Sequence, residues 1–194
     1  MNPWIGKTAF LVGLAMFFVI RAPHNKRSKE TKVSVSRKSL LERTLMSSMT
    51  LGGFVLPMIF ILTPLLSFAD HPLYPLAFSA GIACYALGLW LFYRAHADLG
   101  TNWSPTLELR ENHQLVARGI YRSIRHPMYA AIFLGVFAQA LLLPNWIAGP
   151  GALVAFTLMF TLRLRREERM LVEKFGQPYQ DYMVRTKRLI PGIW

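Results

Sequence analysis

MYAAIFLGVFAQALLLPNWIAGPGALVAFTLMFTL, residues 128–162, is apolar apart from Gln139 and Asn145. A bilayer core takes about 20 residues of helix, with roughly 17–25 common. The stretch is too long for one span, and Pro144-Asn145 near its middle reads as a tight turn. It divides into two helices, 128–143 and 146–162, folded back as a helical hairpin, with Gly149-Pro150-Gly151 loosening the start of the second. The flanks decide what the hairpin presents. Arg125-His126-Pro127 leads in and Arg163 to Glu168 leads out, so antiparallel neighbours bring these polar clusters to one depth.

Three more apolar stretches precede the hairpin, at 4–20, 45–68 and 73–93. The second contains Pro57 and Pro64, which a membrane helix tolerates. The third is rich in small residues (Ala80, Gly81, Ala83, Ala86, Gly88) that let helices approach closely. Asp70-His71-Pro72 is the turn between them. The expected fold is all-α: one membrane domain over 1–194, a bundle of five transmembrane helices. The polar segments 94–127 and 163–194 and the hairpin make up a catalytic region, 94–194, around a cytoplasmic cofactor pocket.

Charge supports five spans. Segments 21–44, 94–127 and 163–194 hold eight, five and eight of the 22 Lys and Arg residues, and five crossings put all three on one side. Only Lys7 remains outside that set, and the turns at 69–72 and 144–145 have none. Because cytoplasmic loops collect Lys and Arg, the N-terminus is expected outside and the C-terminus and active site in the cytoplasm. The first stretch has one lysine near its start, five cationic residues soon after its end and no small-residue cleavage pattern, so it reads as a retained helix and not as a signal peptide.

Composition narrows the function classes. The chain is 53% hydrophobic, with mean hydropathy +0.31 and 16% charged residues, less charge than a soluble domain of 194 residues usually carries. A net charge of +12 alone would suit a nucleic-acid partner, but the cations lie between apolar runs and fit a lipid bilayer surface instead. The single cysteine, Cys84, cannot form an intrachain disulfide, and without CxxC or HxxxH spacing no metal site is expected.

Two local features carry chemistry. Pro127 suits the first turn of a helix, where its missing N–H leaves nothing unpaired, and it biases His126 toward extended backbone. The helix therefore opens near Pro127 with free N–H groups and its positive dipole end toward the polar face, a natural anion site. Arg163 and Glu167 are four apart and share one helix face. Charges this close to an apolar run are costly unless paired or used. The plain alternative is headgroup anchoring by Arg and His, and interfacial belt roles for Tyr93, Trp103 and Tyr129. The sharper reading is a zwitterionic ligand at the mouth of a helical bundle.

The order His113-x-Leu115-Val116-x-x-Gly119-x-Tyr121, then Arg125-His126-Pro127-x-Tyr129, an apolar hairpin, and Arg163 with Glu167-Glu168 closely resembles the isoprenylcysteine carboxyl methyltransferase family. Phe175-Gly176-x-x-Tyr179-x-x-Tyr182 and Ile190-Pro191 extend the likeness, which covers about residues 90–194 and leaves the first two helices unsigned. The resemblance implies S-adenosylmethionine as cofactor, with S-adenosylhomocysteine as product, and methylation of the carboxylate of an isoprenylcysteine-like lipid. It places cofactor contacts at His113, Gln114, Leu115, Val116, Tyr121, His126, Pro127, Met128, Tyr129 and Glu167. It makes Arg163 the substrate-carboxylate clamp, so Arg163 and Glu167 are the catalytic pair. The lipidic or prenylated substrate is expected to enter from the membrane, and the protein to be a monomer. A phospholipid amine N-methyltransferase and an NADPH-dependent, sterol-reductase-like enzyme share parts of the pattern.

Overall fold

A computed structural model describes residues 1–30, 33–36, 40–103, 108–110 and 114–194. Its helices are α1 (Pro3–Glu30), α2 (Leu40–Thr50), α3 (Leu56–Leu62), α4 (Pro75–Leu99), α5 (Pro127–Leu142), α6 (Gly151–Phe175) and α7 (Gln177–Arg185). Three helical stretches are long and apolar enough to cross a membrane: Pro3–Arg27, Leu40–Leu62 and Pro75–Leu99. α5 is equally apolar but has 16 residues, and α6 is apolar until Arg163.

The helical expectation needs one amendment. Val33–Ser36 (β1) and Glu108–Arg110 (β2) form a short antiparallel ribbon, with Val35 opposite Leu109. β1 reads Val-Ser-Val-Ser, and the alternation of β-branched residues favours a strand over a helix.

Helix ends also differ from those read off hydropathy. The first helix continues from 20 to Glu30, because charged residues leave the hydrocarbon zone without ceasing to be good helix formers. For the same reason α4 runs to Leu99 and α6 to Phe175. The second stretch begins at Leu40 and not 45, and it ends at Leu62 and not 68. Thr63 is extended, as the residue before Pro64 tends to be. α6 begins at Gly151 and not 146, because residues 144–150 are spent on the turn.

A π-helical turn, Leu51–Val55, joins α2 to α3 just before Pro57. Gly52 there lies against α6: a Cβ on it would sit 2.5 Å from the Gly151 carbonyl oxygen, so a side chain would force the two elements apart. The Gly52 carbonyl accepts from Gln139 Nε2 at 2.9 Å, and the same amide donates to Ala148 O at 2.8 Å. A buried amide in hydrocarbon needs such partners, and here it ties α5 to the π turn.

α4 and α5 meet through small residues, with Gly88 close against Leu134 Cβ and the Ala131 carbonyl. α5 packs on α6 in the opposite chain sense. Tyr129, early in α5, stacks edge-on against Phe160, far along α6. Leu45, Val136, Ala152 and Phe156 are buried in the same cluster.

The turn between α5 and α6 is organised by Asn145, which is fully buried. Its Oδ1 accepts from the N–H groups of Ile147 (3.0 Å) and Ala148 (2.9 Å), an Asx turn. Its Nδ2 donates to Asp70 Oδ1 and to Leu66 O, both at 2.7 Å, so the two predicted turns lock together. Asn145→Ala leaves the buried Ala148 N–H and the half-buried Ile147 N–H and Leu66 carbonyl without this partner. It is expected to cost about 2 kcal/mol, read as a lower unfolding temperature in detergent while cofactor affinity is retained.

Candidate active site

A cavity of about 720 Å³ penetrates the bundle. One part is walled by apolar groups: Phe10 and Leu14 of α1, Val136 of α5 and Phe156 of α6. The other part is polar and is lined by Gln114, Tyr121, His126, Tyr129, Arg163 and Glu167. Leu115, Val116 and Met128 also line it. Nine of the eleven residues singled out from the sequence thus share one cavity. Pro127 is buried beneath it as the first residue of α5, and His113 lies outside the described residues.

The polar end is built where α5 begins and α6 becomes charged. His126 precedes the helix with φ −125° and no side chain caps the first turn, as the Pro127 argument requires. Tyr129, one turn in, donates its hydroxyl to Glu167 Oε2 at 2.5 Å. Arg163 lies one turn earlier on α6, its Nε 4.0 Å from the same oxygen. The Arg163 side chain is only 8% exposed, whereas that of Glu167 is 26% exposed. Arg163 Nε is buried without a hydrogen bond. Glu167 is an accessible carboxylate of the site, and Arg163, like Arg125, is a sequestered cation that lines it.

Glu168, adjacent in sequence, faces another way. Its Oε1 accepts from Arg125 Nε at 3.3 Å and Arg188 Nε at 3.2 Å, and lies 3.3 Å from His126 Nε2; Oε2 accepts from Arg188 Nη2 at 2.8 Å. Burial opposes ionisation of Glu168, but the hydrogen bonds and charges of His126 and Arg188 outweigh it and hold the carboxyl well below the usual carboxylate range. Arg125 also donates to the carbonyls of Met183 and Thr186. The main chain pairs alongside, with Arg125 N donating to Lys187 O and His126 N to Arg188 O. The C-terminal segment is thereby latched to the entry of α5. Sequence reading grouped Glu168 with Glu167 and gave no partner to Arg188. Adjacent residues on a helix point about 100° apart, a signal that separates their tasks.

The segment after His113 is held by α4 and the turn that follows it. Gln114 N donates to Asn102 Oδ1 at 3.0 Å, and Ile120 N to Asp98 Oδ2 at 2.8 Å. Gly119 adopts φ +57°, a conformation disfavoured for side-chain-bearing residues, and Asp98 fills the space where its Cβ would stand. Tyr182 of α7 donates to the Tyr121 carbonyl at 2.6 Å. Burial pushes its phenol up to about 12, so it remains a donor.

The residue that sequence reading missed is Glu42, in the first turn of α2. Its Oε1 is 3.2 Å from Arg163 Nη1, and both side chains are buried. Its signal was a lone acid within the basic run 37–44, directly before an apolar helix.

This helical membrane fold, with a mainly apolar cavity that carries polar groups at one end, matches a known class. The model of the phospholipid methyltransferase family matches residues 76–178, more than half of the chain. The chain belongs to that family. Within that family its similarity is to the isoprenylcysteine carboxyl methyltransferases. A protein-S-isoprenylcysteine O-methyltransferase of Dictyostelium discoideum is 33% identical over 115 residues, 58% of this chain and 48% of that protein. A probable protein-S-isoprenylcysteine O-methyltransferase of Oryza sativa subsp. indica is 24% identical over 196 residues, covering 98% of this chain and 96% of that one. The solved eukaryotic intramembrane Ras methyltransferase ICMT superposes with TM-score 0.54 at 27% identity, over 82% of this chain and 55% of that one. The chain thus spans about half the length of the Dictyostelium relative and of the solved neighbour.

Proposed function

We propose that this protein is an S-adenosylmethionine-dependent methyltransferase that esterifies the carboxylate of an isoprenylcysteine-like lipid at the bilayer surface. The observation that carries the reading is a buried arginine, Arg163, with an unbonded Nε, in the same cavity as Glu167 and at the head of an apolar compartment. A lipid acid has both halves that such a cavity matches.

The donor set fits the cofactor. Glu167 suits its ammonium group, and the uncapped first turn of α5 suits its carboxylate. Gln114, Leu115, Val116, Tyr121, His126, Met128 and Tyr129 supply the surrounding wall, with His113 expected alongside. Pro127 contributes by fixing where the helix starts. When bound, the cofactor supplies an electrophilic methyl group on a sulfonium centre. The chain's own residues bind and orient. Arg163 would grip the acceptor carboxylate and orient it toward the bound cofactor. A carboxylate is already nucleophilic at neutral pH, so no general base is needed, and positioning supplies up to about 7–11 kcal/mol.

The membrane arrangement we propose has five spans, built from α1, α2 with α3, α4, α5 and the apolar half of α6. α5 and α6 form the hairpin, and the N-terminus lies outside. The site then opens to the cytoplasm while the lipid tail enters from the bilayer, in a monomer of one domain whose catalytic part is 94–194. The basic segments at one end support this orientation.

Glu167→Ala is expected to weaken binding of S-adenosylhomocysteine by about 10- to 100-fold, the loss of a charge-assisted hydrogen bond. Calorimetry on the detergent-purified protein measures it; undiminished affinity would remove Glu167 from the cofactor site. The second reading, amine methylation, has the family model's description behind it. Alkaline hydrolysis of labelled product separates the two, because an ester releases methanol and a methylamine does not.

A further inference from the structure

Arg163 is held from behind by a carboxylate that the chain itself supplies. Glu42 Oε1 stands 3.2 Å from Nη1, with side-chain exposures of 6% for Glu42 and 8% for Arg163. Met46, Met49 and Thr50, four, seven and eight residues further along α2 and so on the same face, line the cavity wall. Glu42 itself does not line the cavity, so α2 delivers a buried charge to the Nη1 end of the guanidinium. The opposite edge behaves differently. Nε is buried and makes no hydrogen bond, and the nearest carboxylate, Glu167, remains 4.0 Å away. A guanidinium offers a carboxylate two parallel N–H donors along one edge. With Nη1 in an ion pair with Glu42, Nε on the Glu167 side is the donor left without a hydrogen bond, and its edge is the one that can serve a ligand.

We propose that Glu42 is a positioning residue for Arg163: it fixes the Nε–Nη2 edge toward the acceptor and offsets part of the guanidinium charge. The inference rests on the carboxylate-acceptor reading above. Its second half follows from the charge change in the reaction. The acceptor begins as an anion and ends as a neutral ester, its oxygen bonding the methyl while the sulfonium takes back the electron pair. An arginine with no counter-charge binds the starting anion more strongly than the partly neutralised transition state, which lowers KM and kcat together. An arginine that shares its charge with Glu42 does not deepen the ground state in this way.

The test is steady-state methylation of a farnesylcysteine carboxylate by wild type, Glu42→Gln and Glu42→Asp, with S-adenosylhomocysteine affinity measured in parallel. For Glu42→Gln we expect kcat to fall about tenfold and KM to fall several-fold, with the affinity for S-adenosylhomocysteine unchanged. Glu42→Asp keeps the charge one methylene further back, so it shows the same split in smaller degree and serves if the glutamine variant does not fold. In an Arg163→Lys background, Glu42→Gln is expected to change kcat less than twofold, since the group it positions is gone. Wild-type kcat and KM in the folded variant overturn the proposal, as does a loss of cofactor-product affinity in step with activity. An alkali-stable product from wild type overturns the acceptor reading and this proposal with it, whereas an ester product with unaltered kinetics overturns this proposal alone.

Discussion

Arg163→Lys is expected to lower kcat for carboxylate methylation by roughly 100- to 1,000-fold, the scale on which a 1 Å misplacement of reactants acts. Lysine keeps the positive charge but replaces a planar fork with a single flexible ammonium. In this site that exchange is severe. Arg163 is buried, its Nη1 faces Glu42 at 3.2 Å, and its Nε makes no hydrogen bond. A lysine at that position stays with Glu42, the nearest full counter-charge, and presents no paired donors to the acceptor. The proposed cofactor end keeps its own hydrogen bond, from the Tyr129 hydroxyl to Glu167, and lysine preserves a positive charge beside it. Binding of S-adenosylhomocysteine is therefore expected to fall far less than kcat. Initial rates with labelled cofactor, at saturating acceptor, measure the effect. Rates equal to wild type would remove Arg163 from the chemistry.

Glu168→Ala is the substitution expected to cost most stability, about 3–5 kcal/mol, because it leaves the buried Arg125 without its counter-charge. Arg125, His126 and Arg188 converge on this carboxylate. Without it, the main-chain pairing of residues 125 and 126 with 187 and 188 loses its support. The expected observations are a lower unfolding temperature and faster proteolysis after residue 185. The pH dependence follows from the sign of the shift. The folded-state pKa of Glu168 lies below its unfolded value of about 4.3. Its stabilisation is therefore complete above about that pH and is lost as pH falls toward the depressed folded value. Wild type should lose stability on acidification below about pH 4, and Glu168→Ala should lose less over the same window. Parallel acid curves for the two proteins would count against Glu168 as the latch.

The parts of the site that were legible in the sequence share a local cause. Pro127 announced a helix start because a missing N–H is harmless only there. Arg163 and Glu167 announced one face because four residues make about one turn. Pro144-Asn145 announced a reversal within a run too long for one span, and Asn145 makes that turn. Other features depended on distant partners. Gln139 looked like a polar interruption until Gly52, from another helix, accepted its hydrogen bond. Helix ends at Glu30, Leu99 and Phe175 ran past the hydropathy limits, since leaving lipid does not end a helix.

By itself the amino-acid order determined a membrane-embedded helical chain, the position of its central reversal and the meeting of Tyr129 with Arg163 and Glu167 at one depth. Hydropathy, proline stereochemistry and the 3.6-residue turn act over short separations, so they can be read in line. Only the tertiary structure decided that Glu42 stands behind Arg163 and that Glu168 turns from the cavity to hold Arg188 and the tail. Those pairs join segments remote in the chain, and their geometry is set by how α2, α5 and α6 pack, for which a sequence carries no local period.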